Sequence, residues 1–384
     1  MPPTSVLKSV VVLCFAALSV VGVQAQELAP AGQTASAVEP RAVAERVAAL
    51  LEADYLDAET GRAYASRMRD QAARGAYDGL AGATLADRLT LDLLAVKDDR
   101  HLRVRFGAPM MRKMSGPVVR GGPGGPGPAH DVNPPPEAMS FLSGAPAIER
   151  AGWIAPGIAY IRFNEFPPEA AVTEATRTFL RDHAYATTLI FDLRTNRGGG
   201  PAQMDVIFPA LFSKPTRLVD MATRGGNERL GPGGPNLRPA EAGPGFVKEY
   251  WVTPGIASPL QRARIFVLTS PATGSAGEMF AAALKWSGRG TLIGAPTAGA
   301  NHFVSMEPLD GGLTLFVPVG RTFNPADGKD WEGDGIAPDI AAAPEEALTT
   351  ALVRAGLPEA QAASLAEEYR PGLPMTRPPA VSPR

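Results

Sequence analysis

The chain has 384 residues, 45% of them hydrophobic, and a formal net charge of −2 with its four histidines neutral. That length and apolar content suffice for one large domain or two ordinary ones around a sizeable core. The near-balanced charge creates no global field for nucleic acid or an anionic membrane surface, so neither is expected as a partner.

Residues 1–25, MPPTSVLKSVVVLCFAALSVVGVQA, join Lys8 to an apolar run and a small-residue ending. This is the layout of a secretory signal, and it predicts export to the periplasm or the exterior with cleavage after Ala25. The apolar run is short for a stable bilayer span. Cys14 is the single cysteine and leaves with that segment, since Leu13 is not the small residue a lipoprotein signal needs. The mature chain then has no disulfide framework. There is no HExxH motif and no cysteine pair, and His101, His130, His183 and His302 are scattered, so no metal and no cofactor are expected.

Residues 26–39 read as a flexible arm. From 40 to 106 the runs RAVAERVAALLEADYL, ETGRAYASRMRDQAARG and TLADRLTLDLLAVK place apolar residues three and four apart, predicting a small unit of three amphipathic helices. Thr84 is the expected N-cap of the third. The unit ends in DDRHLRVRF, where Leu102, Val104 and Phe106 alternate as in a half-buried strand. Residues 107–147 hold too much Gly and Pro for a helix or a central strand and read as a long loop or flap.

From 148 to 345 strand-like and helix-like runs alternate: GIAYIRF, TTLIFDL, AQMDVIFPALF, RIFVLTS, AGEMFAAALKW and GTLIG, then the late strand LTLFVPVGR. The alternation predicts an α/β fold with a mostly parallel sheet covered by helices. Residues 346–370 read as closing helices and 371–384 as a frayed tail.

Four stretches can carry chemistry. In LIFDLRTNRGGG a strand runs into three glycines ahead of a helix, either a tight turn or a place where backbone N–H groups face developing negative charge. In TSPATGSAGEMF, Ser275 is either a helix cap, with Glu278 as capping-box partner, or a nucleophile needing a base. It lacks the GxSxG spacing, because Thr273 stands at the first glycine's place. His101, preceded by acidic residues, is a surface or packing residue or a general base. His130 and His183 are poorer candidates, whereas His302 in AGANHF is harder to dismiss. In WEGDGIAPDI, Glu332 beside Trp331 either caps a turn or orients a catalytic group.

In this order the segments resemble the tail-specific, or C-terminal processing, serine peptidase family, in the branch of the tricorn core proteases and the interphotoreceptor retinoid-binding protein repeats. The resemblance covers most of residues 40–345 and implies a crotonase/ClpP-like βαβ core preceded by the helical unit. It implies Ser275 as nucleophile, Ala276 with Gly198 or Gly199 as backbone oxyanion donors, His101 as base and Glu332 as its support, acting on unfolded or peptide substrates. Three departures stand out. GAPTAGA carries Ala300 where the processing branch has its lysine base, and Arg100 stands where the tricorn-like branch has a serine beside the histidine. No PDZ-type module interrupts the chain, and Lys285 matches no family base and is expected in solvent. A binding protein for apolar ligands or peptides on the same scaffold is the alternative. A crotonase-like hydratase or acyl-transferring enzyme has no residue-level support.

Overall fold

The computed structural model describes residues 39–99, 101–107, 144–224, 235–240 and 246–377. The signal-like segment, most of the arm, Arg100, His130, most of the Pro/Gly-rich stretch and residues 378–384 lie outside them. Three helices come first: α1 (Pro40–Asp54), α2 (Ala58–Ala73) and α3 (Gly82–Leu94). Asp57 caps α2, its Oδ1 accepting from Thr60 N at 2.8 Å. Thr84 does not cap α3. The helix starts three residues earlier, with Ala81 at the cap position, because Leu85 N already donates to Ala81 O at 3.3 Å.

Their apolar faces, with Val47, Leu51, Tyr64, Met68, Leu89 and Leu93, do not close on themselves. They pack against Leu313, Leu315, Val317 and Val319 of a long strand that arrives more than two hundred residues later. That strand belongs to an antiparallel sheet built from β1 (Arg103–Phe106), β5 (Thr216–Thr223), β6 (Leu237–Pro239), β7 (Phe246–Val252), β10 (Phe303–Leu309) and β11 (Leu313–Phe323). The order is β1-β11-β5-β7-β6, with β10 also on β11. This second sheet was not expected; only β1 and β11 had visible strand patterning.

The other six-stranded sheet runs β12-β9-β8-β4-β3-β2. Its members are β2 (Ile148–Ala155), β3 (Ile158–Phe163), β4 (Thr188–Asp192), β8 (Arg264–Thr269), β9 (Thr291–Gly294) and β12 (Ile340–Ala341). All neighbours are parallel except the β2–β3 hairpin. Strands β3 and β4 are buried along their whole length, which is why they read as unbroken apolar runs. Along β4 the faces alternate. Leu189 and Phe191 meet α4 (Ala170–Asp182), α5 (Met204–Leu211) and α6 (Ala276–Trp286) in one core. Ile190 meets α7 (Ala347–Ala355) and α8 (Glu359–Glu368) in another. The expected α/β core is therefore present, helices covering both faces. Its chemistry-bearing loops leave the carboxyl ends of β4, β8 and β9, where ligands bind in open parallel sheets.

Candidate active site

Strand β4 ends at Asp192, which is fully buried and accepts hydrogen bonds from Tyr160 Oη at 2.5 Å, Arg162 Nε at 3.0 Å and Arg194 Nη2 at 2.7 Å. Burial works against the charged carboxylate, but the two guanidiniums hold Asp192 far below the usual carboxylate range. The cluster fixes the exit of β4 and so the turn that follows. In that turn Asn196 binds both sides of the site: its backbone O accepts from Gly274 N at 3.0 Å, and its Oδ1 accepts from Gly198 N at 2.9 Å.

Glycine is required at two positions here. Gly198 has φ +115°, and a Cβ there would stand 2.8 Å from Ser275 Cβ. Gly199 has φ +123°, and its Cβ would lie 2.1 Å from Phe166 O. Strand-like bonding from Phe166 N to Gly198 O (2.7 Å) and from Gly200 N to Phe166 O (2.7 Å) holds the loop in that shape. Among the described residues the Gly198 and Gly200 N–H groups are thus engaged, whereas the Gly199 N–H has no acceptor. The Ala276 N–H, first in α6, likewise has none. Of the glycines expected to offer an oxyanion donor, Gly199 is the one whose donor is available in this geometry.

Ser275 joins β8 to α6 with φ +52° and ψ −118°. An ordinary N-cap residue has extended φ and ψ, and Ser275 is the single non-glycine residue with positive φ among those described. Such a backbone costs of order 1–3 kcal/mol and persists where the surroundings over-determine it. What determines it is Glu278, fully buried one turn on. Its Oε2 accepts from Ser275 N (2.9 Å) and Ala300 N (2.8 Å), its Oε1 from Gly299 N (2.7 Å) and Thr297 Oγ1 (2.6 Å). Burial raises the Glu278 carboxyl while these four donors oppose the rise. The expected pairing of Ser275 with Glu278 is present, but the carboxylate also pins the serine turn to the GAPTAGA loop.

That loop leads to the third part of the site. The His302 Nδ1 lies 2.9 Å from Asp99 Oδ2 and 3.8 Å from Glu332 Oε2. Asp99 also accepts from Tyr55 Oη at 2.8 Å and, through Oδ1, from His101 N at 3.0 Å. Glu332 Oε2 accepts from Asn301 N at 2.7 Å. Burial alone would lower His302, but its hydrogen bond to Asp99 and the charges of Asp99, Glu332 and Asp330 raise it above the ordinary imidazole range. The His101 ring is buried, feels the positive charge of Arg103, and is pushed down to about 4. Its Nδ1 has no hydrogen-bond partner among the described residues.

Ser275, Ala276, Gly198 and Gly199 therefore converge on one loop pair, and His101 and Glu332 sit in a second cluster tied to it through Glu278 and residues 299–302. No hydrogen bond joins Ser275 Oγ to either imidazole among the described residues. Glu332 faces His302, not His101, so the expected support of His101 by Glu332 or Asp99 through its ring is not made. The reason is positional: the ring nitrogen of His302 already occupies Asp99 Oδ2. Sequence reasoning considered Asp99 only as a contact for His101 and gave His302 no role, although their acidic and imidazole groups in DDRHL and AGANHF were visible. His183 is a packing residue, its Nδ1 2.8 Å from Phe179 O and its ring stacked on Phe179. Lys285 is partly exposed and also bonded; Nζ donates to Ala337 O at 2.7 Å and pairs with Asp339 at 2.9 Å, tying the WEGDGIAPDI segment to α6. Asp99, His302 and Glu332 also have donor atoms within 4.8 Å of one another, a set able to approach a cation.

Residues 157–342 match the family model described as peptidase family S41. Carboxyl-terminal-processing peptidase 2 of Arabidopsis thaliana, a chloroplastic protein, is 28% identical over 210 residues, 54% of this chain and 35% of the relative. The chain thus matches about a third of the length of that curated relative. A lipoprotein from Streptococcus agalactiae superposes with a TM-score of 0.53 at 12% identity, over 83% of this chain and 96% of that one. A protein from Parabacteroides merdae gives 0.52 at 16% identity, over 84% and 98%. At these identities the two structures show a shared fold. Family match and fold agree with the ordered motifs at 192–200, 269–280, 294–300 and 331–340, and residues 157–342 are similar to peptidase family S41.

Proposed function

We propose that the protein is an exported serine peptidase that hydrolyses peptide bonds in unfolded or peptide substrates, with Ser275 as nucleophile. The observation that carries this is the Ser275 backbone at φ +52°, strained, held by Glu278, and set against a glycine whose missing Cβ makes room for it. As Oγ bonds to the substrate carbonyl carbon, its proton passes to a ring nitrogen of His101, neutral above about pH 4. The oxyanion is taken by the N–H groups of Ala276 and Gly199. The C–N bond then breaks, the imidazole returns the proton to the leaving amine, and water hydrolyses the acyl-enzyme by the same route. One oxyanion donor is worth about 3 kcal/mol of barrier.

One observation favours a second reading of the base. His302 has its Nδ1 held by Asp99, as a catalytic base is held by its orienting carboxylate, whereas His101 has no such partner. Export rests on residues 1–25; among the described residues no helix is long and apolar enough to cross a membrane. Labelling with a serine-directed fluorophosphonate tests the assignment. Wild type should label, Ser275→Ala should not, and His101→Ala should label slowly. Equal labelling of all three would overturn it, and apolar-ligand binding without casein hydrolysis would favour the binding-protein alternative.

A further inference from the structure

Past α8 the chain does not leave the molecule. Arg150 lies over the Tyr369 ring at 3.7 Å, Gly372 N donates to Glu149 Oε1 at 3.0 Å, and residues 371–377 then run toward the candidate site. Two anchors hold them there. The Arg197 guanidinium donates from Nη2 to Pro374 O at 3.0 Å and from Nη1 to Thr376 O at 3.3 Å, two carbonyls spaced as on one side of an extended peptide. The Arg377 guanidinium donates to the carbonyl of Ala298.

Both anchoring residues, Arg197 and Ala298, also lie beside Gly274, the residue before the nucleophile. The Arg197 carbonyl and the Ala298 side chain lie 3.9 and 3.7 Å from where a Cβ on Gly274, the residue before Ser275, would be, and Ala298 N donates to Thr273 O at 2.8 Å. Exposure along 371–377 alternates strictly: Pro371, Leu373, Met375 and Arg377 are half-buried, while Gly372, Pro374 and Thr376 are exposed. None of the seven is buried, so this is a chain laid on a surface through backbone contacts and alternate side chains, the way an extended peptide ligand is held.

We propose that the Arg197 guanidinium and the Ala298 carbonyl form a peptide-binding subsite beside Ser275 for extended chains carrying arginine or lysine, filled in this structure by the protein's own residues 371–377. The inference rests on the peptidase reading for its purpose, not for its geometry. Arg197 grips main-chain carbonyls and so tolerates varied side chains. The Ala298 carbonyl accepts a cationic donor and selects the basic residue. While the segment is seated it competes with substrate in cis, and a segment seated nine-tenths of the time weakens apparent affinity about tenfold.

The test uses the full chain carrying Ser275→Ala, so that nothing is turned over, and a fluorescein-labelled, C-terminally amidated peptide PGLPMTR read by anisotropy. Adding Arg377→Ala should tighten peptide binding about tenfold by loosening the cis segment. Further addition of Arg197→Ala, or replacement of the peptide's arginine by alanine, should abolish that binding. Equal binding with and without Arg377→Ala, or binding indifferent to Arg197, overturns the proposal. A chain ending at Arg370 must move in the same direction as Arg377→Ala, with thermal melts showing that each variant folds. With Ser275 intact, Arg377→Ala should lower KM for basic peptides and leave kcat unchanged; an unchanged KM in a protein that does hydrolyse them overturns the subsite. If no chain hydrolyses any peptide, the peptidase reading fails while the anisotropy result still decides the subsite.

Discussion

The serine half of the site and the imidazole half are built on different principles. Around Ser275 the groups that shape the turn are committed, and what stays unpartnered among the described residues is the Gly199 and Ala276 N–H pair and Asn196 Nδ2. Glu278 has four donors, Asn196 bridges Gly198 and Gly274, and the glycine loop is locked to Phe166. Around the imidazoles the bonding is sparse. Asp99 gathers Tyr55, His302 and the His101 backbone, and the His101 ring is left with an unpartnered buried nitrogen. A nucleophile turn must be rigid to hold a strained backbone, whereas a base must exchange protons and therefore cannot have all its bonds filled. In the proposed mechanism the serine half defines where the reaction occurs, and the imidazole half sets at what pH.

The sharpest way to break this division is at the serine. Ser275→Ala should lower peptide hydrolysis by about 10⁴-fold or more with the thermal melt unchanged. A smaller loss with an intact fold would move the nucleophile elsewhere. Next in size, Gly198→Ala forces a Cβ to within 2.8 Å of Ser275 Cβ at φ +115°. It should cost about 10²-fold in kcat, through displacement of the reacting atoms, together with about 1–3 kcal/mol of stability. Full activity in that variant would show that the glycine turn does not position the serine. Glu278→Gln replaces an acceptor oxygen by a donor facing backbone N–H groups, and chemical denaturation should register a loss of about 1–3 kcal/mol.

The imidazole half is sharpened by pH. If His101 is the base, the acid limb of kcat/KM lies near 4, where its proton is taken up. If His302 is the base, the limb lies above 6.5, because Asp99 and Glu332 raise it. Stability carries the same signs. The folded state holds His101 neutral, so its contribution is present above about pH 6.5 and is lost as pH falls toward 4, by about 3 kcal/mol at most. The His302 contribution runs oppositely, full below about 6.5 and lost as pH rises through its raised folded value. Asp99→Asn should remove the alkaline loss, and urea titrations across pH read it directly. The smallest effect is expected at Lys285→Ala. Loss of its half-exposed contact with Asp339 should cost less than about 1 kcal/mol and leave hydrolysis unchanged.

The sequence alone determined the elements whose physics is local. The continuous apolar strands at 158–163, 188–192 and 264–269, the helix after Ser275 and the three N-terminal amphipathic helices are all present, because burial on both faces or on one face leaves a readable period. It also determined the glycine turn at 198–200, the serine turn and the motif at 331–340, since each needs particular residue types at fixed spacing. Only the tertiary structure decided what those parts touch. The helical unit finds its core on β11, a pairing across two hundred residues that no local period encodes. The Gly198 N–H is consumed by Asn196 while the Gly199 N–H finds no acceptor among the described residues, a choice made by backbone angles within one loop. Asp99 turns to His302 and leaves the His101 ring alone, because a carboxylate binds the donor that folding brings nearest, and proximity between residues 99 and 302 is a property of the fold and not of the chain order.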